Sequence, residues 1–326
     1  MGTFEPHVKR GSKMDAHAKQ IPIRRRGSIR RRLANDWQLY VLILPAIAYL
    51  FIFHIMPMYG VQIAFKDFRT SKGIWDSPWV GLKHFKRFVT YPNFWKLVRN
   101  TIVLSLYSLA TFPLPVMLAL LINEVRNNRF KKTVQMITYA PHFISVVVLC
   151  SMVTLFLNRT NGVVNHVIAA LGGQRVDFLG SAKMFPSVYV WSGVWQNVGW
   201  SSILYISALS NISAEMVEAA KIDGASRLQI VTRINIPSIL PTIVIMLILR
   251  CGSVLSVGFE KVYLLQNDLN LDTSQVISTY VYEVGLGSGA QFSYSSAIGL
   301  FNNLVNIAIL LLVNRISKAT SSISLF

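Results

Sequence analysis

The sequence predicts an all-α integral membrane protein with six transmembrane helices, and three observations carry that expectation. Hydrophobic residues make up 52% of the 326-residue chain and charged residues only 14%, whereas soluble domains carry about 25% charged residues. The few charges are lopsided, 32 Lys and Arg against 14 Asp and Glu, for a net charge of +18. The apolar residues are also gathered into runs that approach or exceed the roughly 20 residues a bilayer-crossing helix needs. An apolar body with a basic excess is neither collagen-like, coiled-coil nor disordered. The two cysteines, Cys150 and Cys251, each lie inside an apolar run. They build neither a disulfide framework nor a metal cluster, so no metal site is expected.

In chain order the spans are expected near 38–60, 101–123, 134–157, 185–209, 237–259 and 294–314. Together they form a transmembrane region, 37–326, that follows a basic segment, 1–36. The first comes from 37–65, which holds no Lys, Arg, Asp or Glu and contains VLILPAIAYLFIF. The second comes from 100–123 and the third from 133–158. The fourth comes from 184–214, and the fifth from 234–259, interrupted once by Arg250. The sixth ends in LVNIAILLLVN. Trp37, Tyr40, Trp95 and Tyr294 sit near span ends, where aromatic belts form. The first span reads as a retained helix: its leader is too long for a signal-peptide n-region, and no A-x-A site follows. Pro45, Pro57, Pro113, Pro115, Pro141, Pro186 and Pro241 read as kinks for packing, which neighbouring helices tolerate in a bundle, with Pro113-x-Pro115 the pair assigned to a bend used in motion.

Short-loop Lys and Arg set orientation. With the N-terminus inside, segments 1–36, 124–132, 215–233 and 315–326 carry 19 of the 32 basic residues, and the outside segments 66–99, 159–183 and 260–283 carry 12. The leader's RRRGSIRRR abuts the first span and favours this orientation, although 66–99 alone places eight basic residues outside.

Between the fourth and fifth spans lies AEMVEAAKIDGASRLQIVTRINIPSILP. Ser213 is placed to cap a helix over 214–222, with Glu215 in its first turn where the helix dipole favours an anion. Gly224 is placed to end it in the left-handed conformation. A second helix, 225–235, then leads into the fifth span. The skeleton Glu218-Ala219-Ala220, three residues, Gly224, nine residues, Ile234-Asn235-Ile236-Pro237 resembles the EAA loop (EAA-x3-G-x9-I-x-L-P) of permease subunits of ABC importers. Ile236 departs from the usual Leu, a volume-conserving change.

This resemblance implies a type I ABC importer permease fold, with 213–237 as the EAA loop and its short helix as a cytoplasmic coupling helix. Glu218, Ala219, Ala220, Gly224, Ile234 and Pro237 would then meet a separate ATPase. It implies two ABC ATPase subunits, a second and homologous permease subunit as heterodimer partner, an extracytoplasmic solute-binding protein, and residence in the cytoplasmic (inner) membrane of a prokaryote. ATP and magnesium would belong to the ATPase: the chain has no G-x4-G-K-[ST] cradle, no HExxH and no GxSxG. The chain is expected to be no enzyme and to hold no cofactor of its own. Two further stretches, 80–102 (VGLKHFKRFVTYPNFWKLVRNTI) and 249–267 (LRCGSVLSVGFEKVYLLQN), resemble carbohydrate permeases, the latter those for oligosaccharides derived from polysaccharides. In 80–102, Leu82, Phe85 and Phe88 recur at helical spacing, which predicts an amphipathic helix on the outer membrane face.

For the solute pathway the candidates are Trp191, Trp195, Gln196 and Asn197 of the fourth span, whose rings and amides suit sugar faces and hydroxyls, with helix packing as the alternative use. Arg250 at mid-membrane must face a polar interior, as a pathway charge or a structural one. Glu260 is expected on the same helix, about 15 Å further along. His54, His142 and His166 are scattered and read as packing residues. With Arg250, the outside segments carry thirteen Lys and Arg against seven Asp and Glu. This field gathers anions and points to an acidic, uronate-type oligosaccharide such as alginate or pectin fragments. The alternatives are a permease for a neutral sugar, polyamine, phosphate or peptide, or a secondary transporter, whose repeated halves are not visible here. Residues 1–36 are too few for a nucleic-acid-binding domain, so the basic leader is read as an orientation signal beside membrane lipid.

Overall fold

The protein is described by a computed structural model that covers Gly2, residues 37–287 and residues 289–321. Apart from Gly2, the basic segment 1–36 lies outside the described residues, as do 322–326. The chain divides into two units, Met1–Tyr59 and Gly60–Phe326. The described residues are helical, with no strand beyond two isolated bridges, Lys66–Trp79 and Arg69–Gly73.

In the first unit, α1 (Trp37–Leu50) runs into a π-turn, Phe51–Ile55, before Pro57. A proline ring clashes with the carbonyl four residues back, and the wider π-turn takes up that clash. The same device recurs later in the chain, where a π-turn, Val231–Asn235, precedes Pro237.

The second unit opens with a cap of short segments. Its short helix α2 (Lys83–Val89) is followed by α3 (Phe94–Ala110), which a turn at Thr111 and Phe112 joins to α4 (Pro113–Glu124). Pro113 and Pro115 thus start a new helix rather than interrupt one, the favoured place for proline. The expected third span, 134–157, is two helices, α5 (Asn128–Tyr139), which a 3-10 turn, Ala140–Phe143, extends, and α6 (Val146–Phe156), bent by 101° at the break after Phe143. Pro141 cannot donate to the helix ladder, and Ser145 restarts it by accepting from Val148 N–H. Next come α7 (Val163–Ala170) and α8 (Phe185–Ser210), a 26-residue helix.

The loop that follows holds α9 (Ala214–Ile222) and α10 (Arg227–Ile230), and α11 (Ile236–Gly252) continues from it. The expected fifth span, 237–259, ends early, at Gly252, and residues 253–258 are not helical. Non-helical backbone at membrane depth must be satisfied by protein. Here the Asn306 side chain accepts from Leu255 N–H at 2.9 Å, and Ser278 donates to the Val257 carbonyl. The chain ends with α12 (Phe259–Leu265), α13 (Leu271–Ser274), α14 (Ile277–Leu286) and α15 (Phe292–Ser321).

Four helical runs are long and apolar enough to cross a membrane: Trp37–Phe65, Phe94–Glu124, Arg227–Gly252 and Phe292–Ala319. The bent pair α5–α6 makes a fifth if it is counted as one span. The remaining expected span, 185–209, is present as α8, but its Gln196, Asn197, serines and tryptophans keep it short of that apolarity.

Helix 80–102 is corrected. It breaks at residues 90–93, and the Phe88 face of α2 docks into protein: Phe88 is fully buried with Phe94, Leu97, Tyr294 and Ile298, while Leu82 is exposed. Several basic residues of 66–99 are committed locally. Lys66 is buried and donates to the Ile74 carbonyl at 2.7 Å, Arg87 lies over the Tyr294 ring, and Lys96 pairs with Asp272. Lys96 donates a hydrogen bond to the Asp272 carboxylate and holds it below its ordinary pKa. Below this cap, two further cores pack α3, α6, α8 and α12 around Leu104 and Val262, and α4, α8 and α11 around Tyr205 and Ile239.

Candidate functional site

A cavity of about 750 Å³ opens beside α8, lined also by α3, α4, α11 and α12. Helical periodicity splits the fourth-span candidates between two faces of α8. Gln196 and Asn197 face the cavity with Trp200. Trp191 and Trp195 face a separate apolar hollow of about 390 Å³ against α6, and the Trp191 indole N–H donates to Tyr107 Oη at 3.0 Å.

The two amides are held by the bend between α5 and α6. Gln196 Nε2 donates to the Ile144 carbonyl at 2.8 Å. His142 Nδ1 donates to Asn197 Oδ1 at 3.0 Å, while its ring stacks on Trp200 at 4.5 Å and 5°. His142 therefore packs, as its isolation in the sequence suggested, but it packs against two residues of the cavity wall.

Two cations complete the lining. Arg250 sits in the last turn of α11, where the helix dipole favours a positive charge. Lys261 was counted in the sequence only as an outside basic residue. It is 9% exposed, its Nζ donates to the Tyr189 carbonyl at 2.7 Å, and it lies 4.8 Å from the Tyr189 ring. No Asp or Glu lines the cavity. Among the described residues the ion pairs are Arg69–Asp67 and Lys96–Asp272, so neither cavity cation has a carboxylate partner. Glu260 is not on the helix of Arg250, as had been expected; it opens α12, is exposed, and does not reach the cavity. The break at 253–258 hid Lys261, because an unbroken helix would have carried it beyond the span.

The EAA-like loop has its own geometry. Ser213 occupies the N-cap position of α9 but makes no side-chain cap bond. The far end closes as the spacing predicted: Gly224 has φ +79°, its N–H donates to the Lys221 carbonyl, and Ala225 N–H donates to the Ala220 carbonyl. Both bonds of a left-handed helix stop are thus made. Ser226 and Gln229 then form a reciprocal capping box that starts α10, two residues later than the sequence suggested. Glu218, Ala219 and Gly224 are exposed, Ala220 and Ile234 are half-buried, and Pro237 is exposed at the start of α11. Ile222 is 86% exposed at the tip of α9. No group of three or more His, Cys, Asp or Glu among the described residues is placed to hold a metal ion.

The chain is similar to characterised membrane transport proteins along most of its length. It is 43% identical over 288 residues to the polygalacturonan/rhamnogalacturonan transport system permease protein YteP of Bacillus subtilis, covering 88% of this chain and 89% of that one. It is 42% identical to the protein LplB of the same organism, covering 90% and 92%. Its fold matches a chain in the crystal structure of a bacterial ABC transporter involved in the import of the acidic polysaccharide alginate, with a TM-score of 0.82 and 40% identity over 89% of this chain and 98% of that one. A second structure of a bacterial alginate ABC transporter, in complex with an alginate pentasaccharide-bound periplasmic protein, gives a TM-score of 0.83 and 38% identity, covering 91% and 99%. The model of binding-protein-dependent transport system inner membrane components matches residues 111–318, which include α9, α10 and four of the helices around the cavity, α4, α8, α11 and α12, and the chain belongs to that family.

Proposed function

We propose that this chain is one membrane subunit of an ATP-driven importer that carries an acidic oligosaccharide inward, with the 750 Å³ cavity on its path. The observation that carries this reading is the charge of the cavity: Arg250 and Lys261 on a wall that holds no Asp or Glu. Lys261 is a buried cation without a carboxylate partner, which is costly, and an anionic solute supplies one beside the exposed Arg250. A carboxylate about 4 Å from such a charge gains roughly 4 kcal/mol at an effective dielectric constant near 20, before its own desolvation is subtracted. Trp200 adds a ring face and Asn197 an amide for the neutral parts of a sugar. The transport of polygalacturonan by YteP and of alginate by the similar structures supports the same class of solute.

Energy enters through the loop. In this reading α9 seats on a separate ATPase, with Ile222 and Met216 as its apolar contacts and Glu218, Ala219, Ala220 and Gly224 as the surface between them. Arg227–Gly252 is a continuous helical run of about 39 Å, and Arg250 is in its last turn. A push on α9 is therefore delivered to a cavity cation. The N-terminus lies inside, a second permease faces this one, and a binding protein delivers the sugar outside.

The test is reconstitution with the cognate ATPase, partner permease and binding protein. ATPase stimulation by binding protein loaded with uronate oligomers is expected, together with loss of ATPase co-purification in Gly224→Asp. Stimulation by neutral oligomers alone would remove the acidic substrate from the proposal, and an unchanged complex in Gly224→Asp would remove the coupling role of the loop.

A further inference from the structure

His142 stands in the 3-10 turn that extends α5, half-buried, and does not itself line the cavity. It touches two residues that do, by two different chemistries. Its ring lies parallel to the Trp200 ring, 4.5 Å away and 5° from coplanar, and Phe143 meets the same indole edge to face at 5.6 Å. Its Nδ1 is 3.0 Å from Asn197 Oδ1. The Gly199 backbone against Thr138 brings α8 and α5 close enough for both contacts.

These contacts settle what Asn197 presents to the cavity. Its Nδ2 donates to the Gly193 carbonyl at 3.1 Å, and a carbonyl only accepts, so the amide nitrogen points there. The oxygen then turns to His142 and also only accepts, so Nδ1 carries the ring proton. The second hydrogen of Nδ2 reaches Gln196 Oε1 at 3.4 Å. What remains of the amide's bonding capacity is a lone pair on Oδ1: an acceptor and no donor. A sugar hydroxyl can donate to it, whereas an ionised carboxylate, which only accepts, cannot.

We infer that His142 is a positioning residue for the sugar: without touching it, His142 holds the Trp200 ring and the Asn197 amide oxygen in the arrangement that a sugar ring meets in the cavity. This rests on the cavity being the path of the sugar, and it divides the recognition between two parts of the wall. Arg250 and Lys261 answer to the charge of the solute. The part held by His142 answers to rings and hydroxyls, which an acidic sugar and its uncharged analogue share. Ordering a mobile side chain at the moment of binding weakens affinity by about two- to tenfold, and His142 orders two side chains in advance.

The test uses the assembled transporter in lipid nanodiscs and reads the dissociation constants of trigalacturonate and of its carboxyl-reduced, uncharged analogue. His142→Ala removes both contacts and is expected to weaken both probes about tenfold, with the ratio of the two constants unchanged. His142→Gln keeps a donor for Asn197 without the stack, and His142→Phe keeps the stack without the donor. Each is expected to recover part of the loss, binding about threefold more weakly than wild type, which a role in folding alone would not produce. These two variants also carry the test if the His142→Ala complex fails to assemble. Wild-type constants in His142→Ala, or in both His142→Gln and His142→Phe, overturn the proposal. So does a changed ratio, or a loss in His142→Gln and His142→Phe as large as in His142→Ala. A wild type that binds the two probes equally removes the acidic substrate and leaves the role of His142 to be read on either probe; a wild type that binds neither removes the sugar path and this proposal with it.

Discussion

A side chain at Gly199 would run into the carbonyl oxygen of Thr138, so α8 and α5 meet there backbone to backbone. Small residues allow this approach in membrane bundles, where packing rather than the hydrophobic effect joins helices. The contact lies one residue from Trp200 and four from His142, whose rings stack across the same crossing. Gly199→Ala is therefore expected to destabilise the protein by about 1–3 kcal/mol, the range for overpacking a close contact, and to separate Trp200 from His142. A lower thermal midpoint of the detergent-solubilised protein and altered tryptophan fluorescence would register it; an unchanged midpoint would contradict the close crossing. Gly224 is special for a different reason, its positive φ, and that property was legible in the sequence from its place after a two-turn helix. Nothing in the sequence pointed to Gly199, because what it touches is more than sixty residues away.

At the scale of elements, the cap is held by polar contacts that link α3 to α13 and to the start of α14. The Asn100 side chain donates to the Asp272 and Gln275 carbonyls, and Thr101 Oγ1 accepts from Ile277 N–H. Beneath α2, His84 Nε2 donates to the Lys66 carbonyl at 3.2 Å. Burial pushes the His84 imidazole below its ordinary pKa of 6.5, and the bond to Lys66 only partly opposes this. The unfolded chain then binds more protons than the folded one as pH falls below 6.5, so stability from this site is present at neutral pH and lost on acidification. The thermal midpoint is expected to fall more between pH 7 and pH 5 in wild type than in His84→Gln, which keeps a donor for Lys66. Equal falls in the two proteins would contradict a buried, neutral His84. The amphipathic pattern of 80–102 was legible, but what covers its apolar face was not, since lipid and protein favour the same stripe.

At the scale of the whole molecule, the bias of basic residues predicts which loops face the cell interior. Single cysteines at Lys72 and Lys221, on a background with Cys150 and Cys251 replaced by serine, provide the check. Lys72→Cys is expected to react with a membrane-impermeant maleimide in intact spheroplasts, and Lys221→Cys only after permeabilisation. The reverse pattern would invert the topology and detach α9 from any cytoplasmic ATPase.

Composition, hydropathy runs and the EAA-like spacing by themselves determined a helical membrane protein of the permease class and the position of its loop helix, because these depend on residues close together in the chain. Only the tertiary structure decided which face of α8 meets the cavity, that α11 stops at Gly252, and that Lys261 turns inward beside Arg250 while Glu260 turns away. Each of those outcomes rests on contacts between distant segments: Ile144 with Gln196, Asn306 with Leu255, and Tyr189 with Lys261. A local pattern carries no record of such partners, and burial of a charge is settled by whichever backbone carbonyl and ring the fold brings beside it.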